Sequence, residues 1–138
     1  MGHAVLEHEA RKRGLPVVVD SAGTAAYHEG ELPDERTIAT CKKNSVPIDH
    51  LARAVTSSDF KKFDYILASD SANLSNLQHM APSNSTATIA LFGSFGDNKP
   101  IADPYYGGIN GFEKAFDQCV RYSTGFLDHV FGKKESVL

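Results

Sequence analysis

The sequence predicts an α/β fold on a parallel sheet, and three observations carry that expectation. Helix-period and strand-type segments alternate along the chain in the order α-β-α-β-α-β-α. Acid and hydroxyl residues follow the apolar runs at their C-terminal ends, where open parallel sheets gather their chemistry. The chain has 138 residues, 41% hydrophobic and 22% charged, and shows no internal repeat, so one domain over residues 1–138 is expected.

Each element has a local cause. Residues 3–13 are rich in Ala, Leu, Glu, Lys and Arg and read as a helix, which Gly14-Leu15-Pro16 ends. Pro16 to Asp20 is an apolar run of strand length, and Ser21-Ala22-Gly23-Thr24 turns the chain. A second helix is expected from about Asp34 to Asn44, with acids at its positive end. Phe63 to Ser69 is the next strand, and Ser69-Asp70 cap a helix reaching about Met80, with Leu74 and Leu77 on one face. Thr86 to Gly93 is the third strand, and a long loop follows through Asp103 to Gly108. The last helix, about Asn110 to Phe131, places Phe112, Phe116, Cys119, Val120, Phe126, Leu127 and Val130 at helical spacing.

Composition excludes several classes. No apolar run approaches the roughly 20 residues that span a bilayer, and residues 1–8 lack the basic and then apolar pattern of a signal peptide. A cytoplasmic protein is the expectation, with no membrane partner. Fourteen basic against seventeen acidic residues, without a basic stripe, give no nucleic-acid footprint. Cys41 and Cys119 are too few and too far apart for a disulfide framework or a zinc site, and read as reduced packing thiols. Asp and His residues lack ligand spacing, so no metal is implied.

Asp103-Pro104-Tyr105-Tyr106-Gly107 carries the clearest chemical signal. A carboxyl beside two aromatic rings suits protonation of an aryl leaving group, the rings holding a phenyl ring while the acid reaches its oxygen. A Pro-containing turn whose tyrosines cover the core edge is the other reading of the same residues.

Taken with Asp20-Ser21-Ala22-Gly23-Thr24, Tyr27-His28-Glu29-Gly30, Pro33-Asp34-Glu35-Arg36, Ile48-Asp49-His50, Ala52-Arg53, Phe63-Asp64-Tyr65-Ile66-Leu67, Asp70, Asn73-Leu74 and Leu91-Phe92-Gly93, this stretch is collinear with one family. The chain resembles the low-molecular-weight protein tyrosine phosphatases, the small cytoplasmic acid phosphatases. The resemblance implies a three-layer fold, a parallel sheet with helices on both faces, and no cofactor. It implies Asp103 as general acid and base, Tyr27, Tyr105 and Tyr106 along the phosphotyrosine cleft, and Ser21, His50 and Asp70 as supports of the phosphate loop. His50 on its own reads more readily as a surface or core histidine than as a site residue. Phosphotyrosine proteins, small aryl phosphates or flavin mononucleotide are the substrates such a cleft implies.

The family's C-x5-R loop, which supplies the nucleophile and the anion site, has no counterpart in these 138 residues. Six positions after Cys41 stands Pro47, and six after Cys119 stands Gly125. By the resemblance the chain starts just after that loop, without the family's central first strand, and lacks cysteine-dependent activity. A central strand burying three or four apolar side chains contributes on the order of 5–12 kcal/mol, comparable with the roughly 5–15 kcal/mol of a whole domain. The exposed sheet edges then favour self-association. A non-catalytic phosphotyrosine- or protein-binding module is the alternative from another class. An arsenate reductase, which shares the fold in some lineages, needs the same loop cysteine and further redox cysteines, and Cys41 and Cys119 argue against it.

Overall fold

The computed structural model describes residues 1–22, 35–48, 53–101 and 111–131. Helix α1 (Gly2–Lys12) buries Ala4, Val5, Leu6 and Ala10, and it stops where the sequence says. Gly14 takes φ +65, its N–H donates to Arg11 O, and the Leu15 N–H donates to Ala10 O. This pair of bonds is the Schellman closure, in which a left-handed residue turns the chain and satisfies the last carbonyls. Helix α2 (Glu35–Lys43) ends in the same way with Ser45 (φ 60) in the left-handed position. There the Val46 N–H reaches Cys41 O at 2.8 Å, and both of those side chains are buried.

A short helix that the sequence did not announce, α3 (Asp59–Lys62), precedes strand β1 (Tyr65–Ala68). The carbonyl of Phe60 accepts from the N–H groups of Thr86 and Ala87, so α3 fixes where the next strand begins. Helix α4 (Ser71–Met80) follows, then strand β2 (Thr88–Leu91), a 3-10 turn at Phe92–Phe95, and helix α5 (Gly111–Phe131). Strands β1 and β2 pair in parallel, Tyr65 opposite Thr88 and Ala68 opposite Leu91.

Helices lie on both faces of this sheet. Tyr65 and Leu67 pack against the core shared by α1, α2 and α5, whereas Ile66, Ala68 and Ile89 pack with Phe60, Leu74 and Leu77. Alternation along β1 thus sends successive side chains into separate cores. Of the residues assigned to the last helix, Phe112, Phe116, Cys119, Phe126 and Leu127 are buried, while Val130 is exposed. Tyr122, outside the set of apolar positions expected for this helix, is fully buried with its hydroxyl donating to Asp97 at 2.6 Å. Burial and that bond together push the phenol's pKa up, and the same bond holds the Asp97 carboxyl below the usual range.

Two predicted strands need correction. Pro16 to Asp20 is not a paired strand among the described residues: a cleft of about 660 Å³ lies between it and β1, and a strand is defined by its neighbour's hydrogen bonds. The third strand is shorter than Thr86–Gly93. Its first two amides turn to Phe60, and Phe92 begins the 3-10 turn, where the Ser94 hydroxyl donates to Leu91 O.

Candidate functional site

The cleft is walled by Pro16–Ala22 on one side and β1 on the other. Asp20, Ser21, Ser69 and Asn73 line it where these two segments end, in keeping with the placement rule for parallel sheets, and Asp59, Lys62 and Asp64 line it ahead of β1. His3 and Arg53 line the same cleft. Two of the three predicted loci therefore share one crevice, and the third, the Asp103 loop, lies outside the described residues.

Arg53 ties the Pro16–Ala22 wall to α3, the short helix that precedes β1. Its Nε donates to Asp20 Oδ2 at 3.1 Å, and its Nη1 and Nη2 donate to the two oxygens of Asp59 at 3.0 and 3.1 Å. Such a forked pair fixes both distance and plane. Burial works to raise the Asp59 carboxyl, but the bonds from Arg53 and from the Thr56 N–H outweigh it and hold the carboxyl below its ordinary value. The hydrogen bond to Asp59 raises the guanidinium in turn. Nη1 also donates to Ala54 O at 3.2 Å, so four of the five guanidinium N–H donors have protein acceptors. Arg53 is consequently a structural clasp rather than an anion-binding group.

On the opposite wall, Asp70 caps α4 by accepting from the Asn73 N–H at 2.7 Å, as the sequence reading expected. Asn73 Oδ1 accepts from the Ser69 N–H, and Ser69 O accepts from the Ile101 N–H at 2.8 Å. Ile101, two positions before Asp103 in sequence, is thereby pinned to the end of β1. The segment leading to it is held against α5 by Tyr122 and Arg121 on Asp97 and by Gln118 Nε2 donating to Pro100 O. Gly125 makes this docking possible, since a Cβ there would lie 1.8 Å from Phe95 O. His3, in the first turn of α1, shares a 2.8 Å hydrogen bond between Nδ1 and Ser21 Oγ.

Both cysteines are free and buried away from this cleft. Burial raises the Cys41 thiol and pushes the Cys119 thiol up to about 11. Thiols of that kind hold almost no thiolate near neutrality and are poor nucleophiles.

The family model for low molecular weight phosphotyrosine protein phosphatase matches residues 1–136. The chain belongs to that family. The phosphatase of this name from Schizosaccharomyces pombe is 44% identical over 136 residues, which cover 94% of this chain and 87% of the relative. Its counterpart from Saccharomyces cerevisiae is 38% identical, covering 92% and 84%. Among solved structures, a product-state mimic of a protein tyrosine phosphatase from Entamoeba histolytica superposes with a TM-score of 0.89 at 30% identity, covering 97% of this chain and 88% of that one. The α/β fold with its parallel sheet is accordingly that of the low-molecular-weight phosphotyrosine phosphatases.

Within that family fold, Ser21 and Asp70 sit at the C-terminal ends of the two walls, bonded to His3 and Asn73 respectively. His50, Tyr27, Asp103, Tyr105 and Tyr106 lie outside the described residues. His3, Arg53, Asp59 and Asn73 are cleft residues beyond those expected from sequence. Only Asp59 had a legible local signal, the Thr56-x-x-Asp59 spacing in which an acid reaches back to an N–H at a helix start. The Arg53–Asp20 tie spans 33 positions and has no signature in sequence.

Proposed function

We propose that this chain recognises phosphotyrosine or small aryl phosphates, and that it does not by itself carry the family's cysteine-dependent hydrolysis. One observation supports the second half above all: neither cysteine stands six positions before an arginine, and both are buried with raised thiol pKa values. The one arginine among the cleft residues is engaged by two carboxylates, so the described residues offer no guanidinium for phosphate oxygens. Family membership supports the substrate class.

In this reading Asp103 is the acid that protonates a departing aryl oxygen, and Tyr27, Tyr105 and Tyr106 hold the ring. Ser21, His50 and Asp70 stand where the family supports its phosphate loop, a C-x5-R segment that these 138 residues do not contain. The hydrogen bond from Ile101 to Ser69 favours this arrangement, because it anchors the chain two residues before Asp103 to a residue that lines the same cleft as Ser21 and Asn73. General-acid assistance contributes about 10²–10⁴-fold, whereas nucleophile and oxyanion stabilisation supply the larger share. With Asp103 alone, hydrolysis is too slow to register. A cytoplasmic setting, one domain over residues 1–138 and an absence of nucleic-acid partners belong to the same reading.

The test is para-nitrophenyl phosphate turnover by this chain, alongside NMR titration with phosphotyrosine. Shifts at Ser21 and Asn73 amides without turnover are expected. Turnover that vanishes both in Asp103→Asn and after thiol alkylation would overturn the proposal.

A further inference from the structure

The bonds that hold residues 92–101 converge on one phenol. Tyr122 is a fully buried ring on α5, and its hydroxyl donates to Asp97 Oδ1 at 2.6 Å. A buried phenol needs such a partner, and an ionised acceptor gives the shorter, stronger bond. Asp97 Oδ2 accepts from Arg121 Nη1 at 3.1 Å, and Oδ1 accepts from the Lys99 N–H at 3.2 Å. Gln118 Nε2 donates both to the Tyr122 hydroxyl oxygen at 3.2 Å and to Pro100 O at 3.1 Å. One carboxylate is thus held by two side chains of α5 and by its own segment.

The segment is folded tightly enough to pass this constraint on. The N–H groups of Gly96 and Asn98 both donate to Gly93 O. A Cβ at Gly93 would lie 1.8 Å from Lys99 O, and one at Gly96 would lie 2.6 Å from the Tyr122 ring. Only three residues separate Asp97 from Ile101, and one is Pro100, whose ring fixes φ. A displacement of Asp97 therefore has little chain in which to relax. Beyond it, the Ile101 N–H donates to Ser69 O at 2.8 Å, and the Ser69 N–H donates to Asn73 Oδ1.

We infer that Tyr122 and Asp97 are positioning residues for the phosphotyrosine site: through residues 97–101 they fix Ile101 at the end of β1, and so set where the Asp103-Pro104-Tyr105-Tyr106 stretch begins. This role rests on the acid and ring-holding functions proposed above for that stretch. The pair acts through the backbone rather than by contact with ligand. Apparent affinity falls with the fraction of molecules whose site is already arranged, so loosening the anchor weakens binding without removing a contact. The hydroxyl is the decisive group, because a phenylalanine would fill the same core and need no partner.

The experiment compares variants of the 138-residue chain by hydrogen exchange and by NMR titration with phosphotyrosine. In Tyr122→Phe, exchange of the Ile101 amide should quicken at least about tenfold, while that of Thr88, bonded to Asp64 O, should change less than about threefold. Its Kd for phosphotyrosine should rise at least about threefold. Asp97→Ala should match it, whereas Asp97→Asn keeps an acceptor for the hydroxyl and should hold both readouts near the parent. Arg13→Ala, which cuts the 2.8 Å tie from Arg13 to Asp128 of α5, should leave both unchanged. Parent-like exchange at Ile101 in Tyr122→Phe would overturn the inference, as would faster exchange with an unchanged Kd. Equal effects from Arg13→Ala would reduce the pair to general support of α5 and overturn it too. A parent chain that binds no phosphotyrosine at millimolar ligand would instead overturn the reading of the site, and the positioning role with it.

Discussion

Val17-Val18-Val19 and Thr88-Ile89-Ala90-Leu91 carry equivalent strand signals, yet only the second is a strand here. The Thr88–Leu91 run is seated against β1 because the Phe60 carbonyl receives the preceding amides and Ile89 drops into the core around Phe60 and Leu77. The valine run has apolar contact through Val17 and Val19 with the other core, but Val18 is 80% exposed and no ladder forms. Side-chain burial alone therefore does not make a strand. A neighbour on the hydrogen-bonding edge is required as well.

The comparison is broken most directly on its ordered side. Phe60→Ala removes a fully buried ring from the smaller core and should cost about 3–5 kcal/mol, read as a fall in the urea midpoint with little change in slope. Asp59→Asn weakens the clasp that joins the valine wall to α3 and should cost about 1–3 kcal/mol. Because the Asp59 carboxyl is held below its ordinary value in the fold, its contribution is present above the unfolded value of about 3.9. It is lost as pH falls through the folded value. Urea midpoints between pH 7 and pH 3 should therefore drop less in Asp59→Asn than in the parent chain. The smallest effect belongs to the open side: Val18→Thr should change stability by less than about 0.5 kcal/mol, in contrast to any buried valine.

Local chemistry was readable in advance wherever one turn of chain determines the outcome. The stop at Gly14 and the Asp70 cap lie in this class, since their bond partners are within five positions, and the apolar face of α5 follows from the spacing of its own residues. The α2 terminus was harder, because a serine occupies the left-handed position where glycine is the usual signal. Burial of Tyr122 depends on Asp97, 25 positions away, and on the space left by Gly96, where a Cβ would lie 2.6 Å from the ring. As for the site, motif order pointed to the Asp20 turn and the Ser69-Asp70 pair, and both end on the cleft. The clasp and the His3–Ser21 contact were invisible because their members are 33 and 18 positions apart.

By itself the sequence determined the α/β class, the family, the positions of the main helices and the absence of a C-x5-R motif, all of which depend on residue type and short-range order. Tertiary structure decided which apolar runs became strands, which charges were neutralised across the cleft and which thiols were silenced by burial. The physical reason is common to these cases. Hydrogen-bond pairing, ion-pair geometry and desolvation depend on what lies within a few ångströms in space, and in this protein those neighbours come from distant parts of the chain.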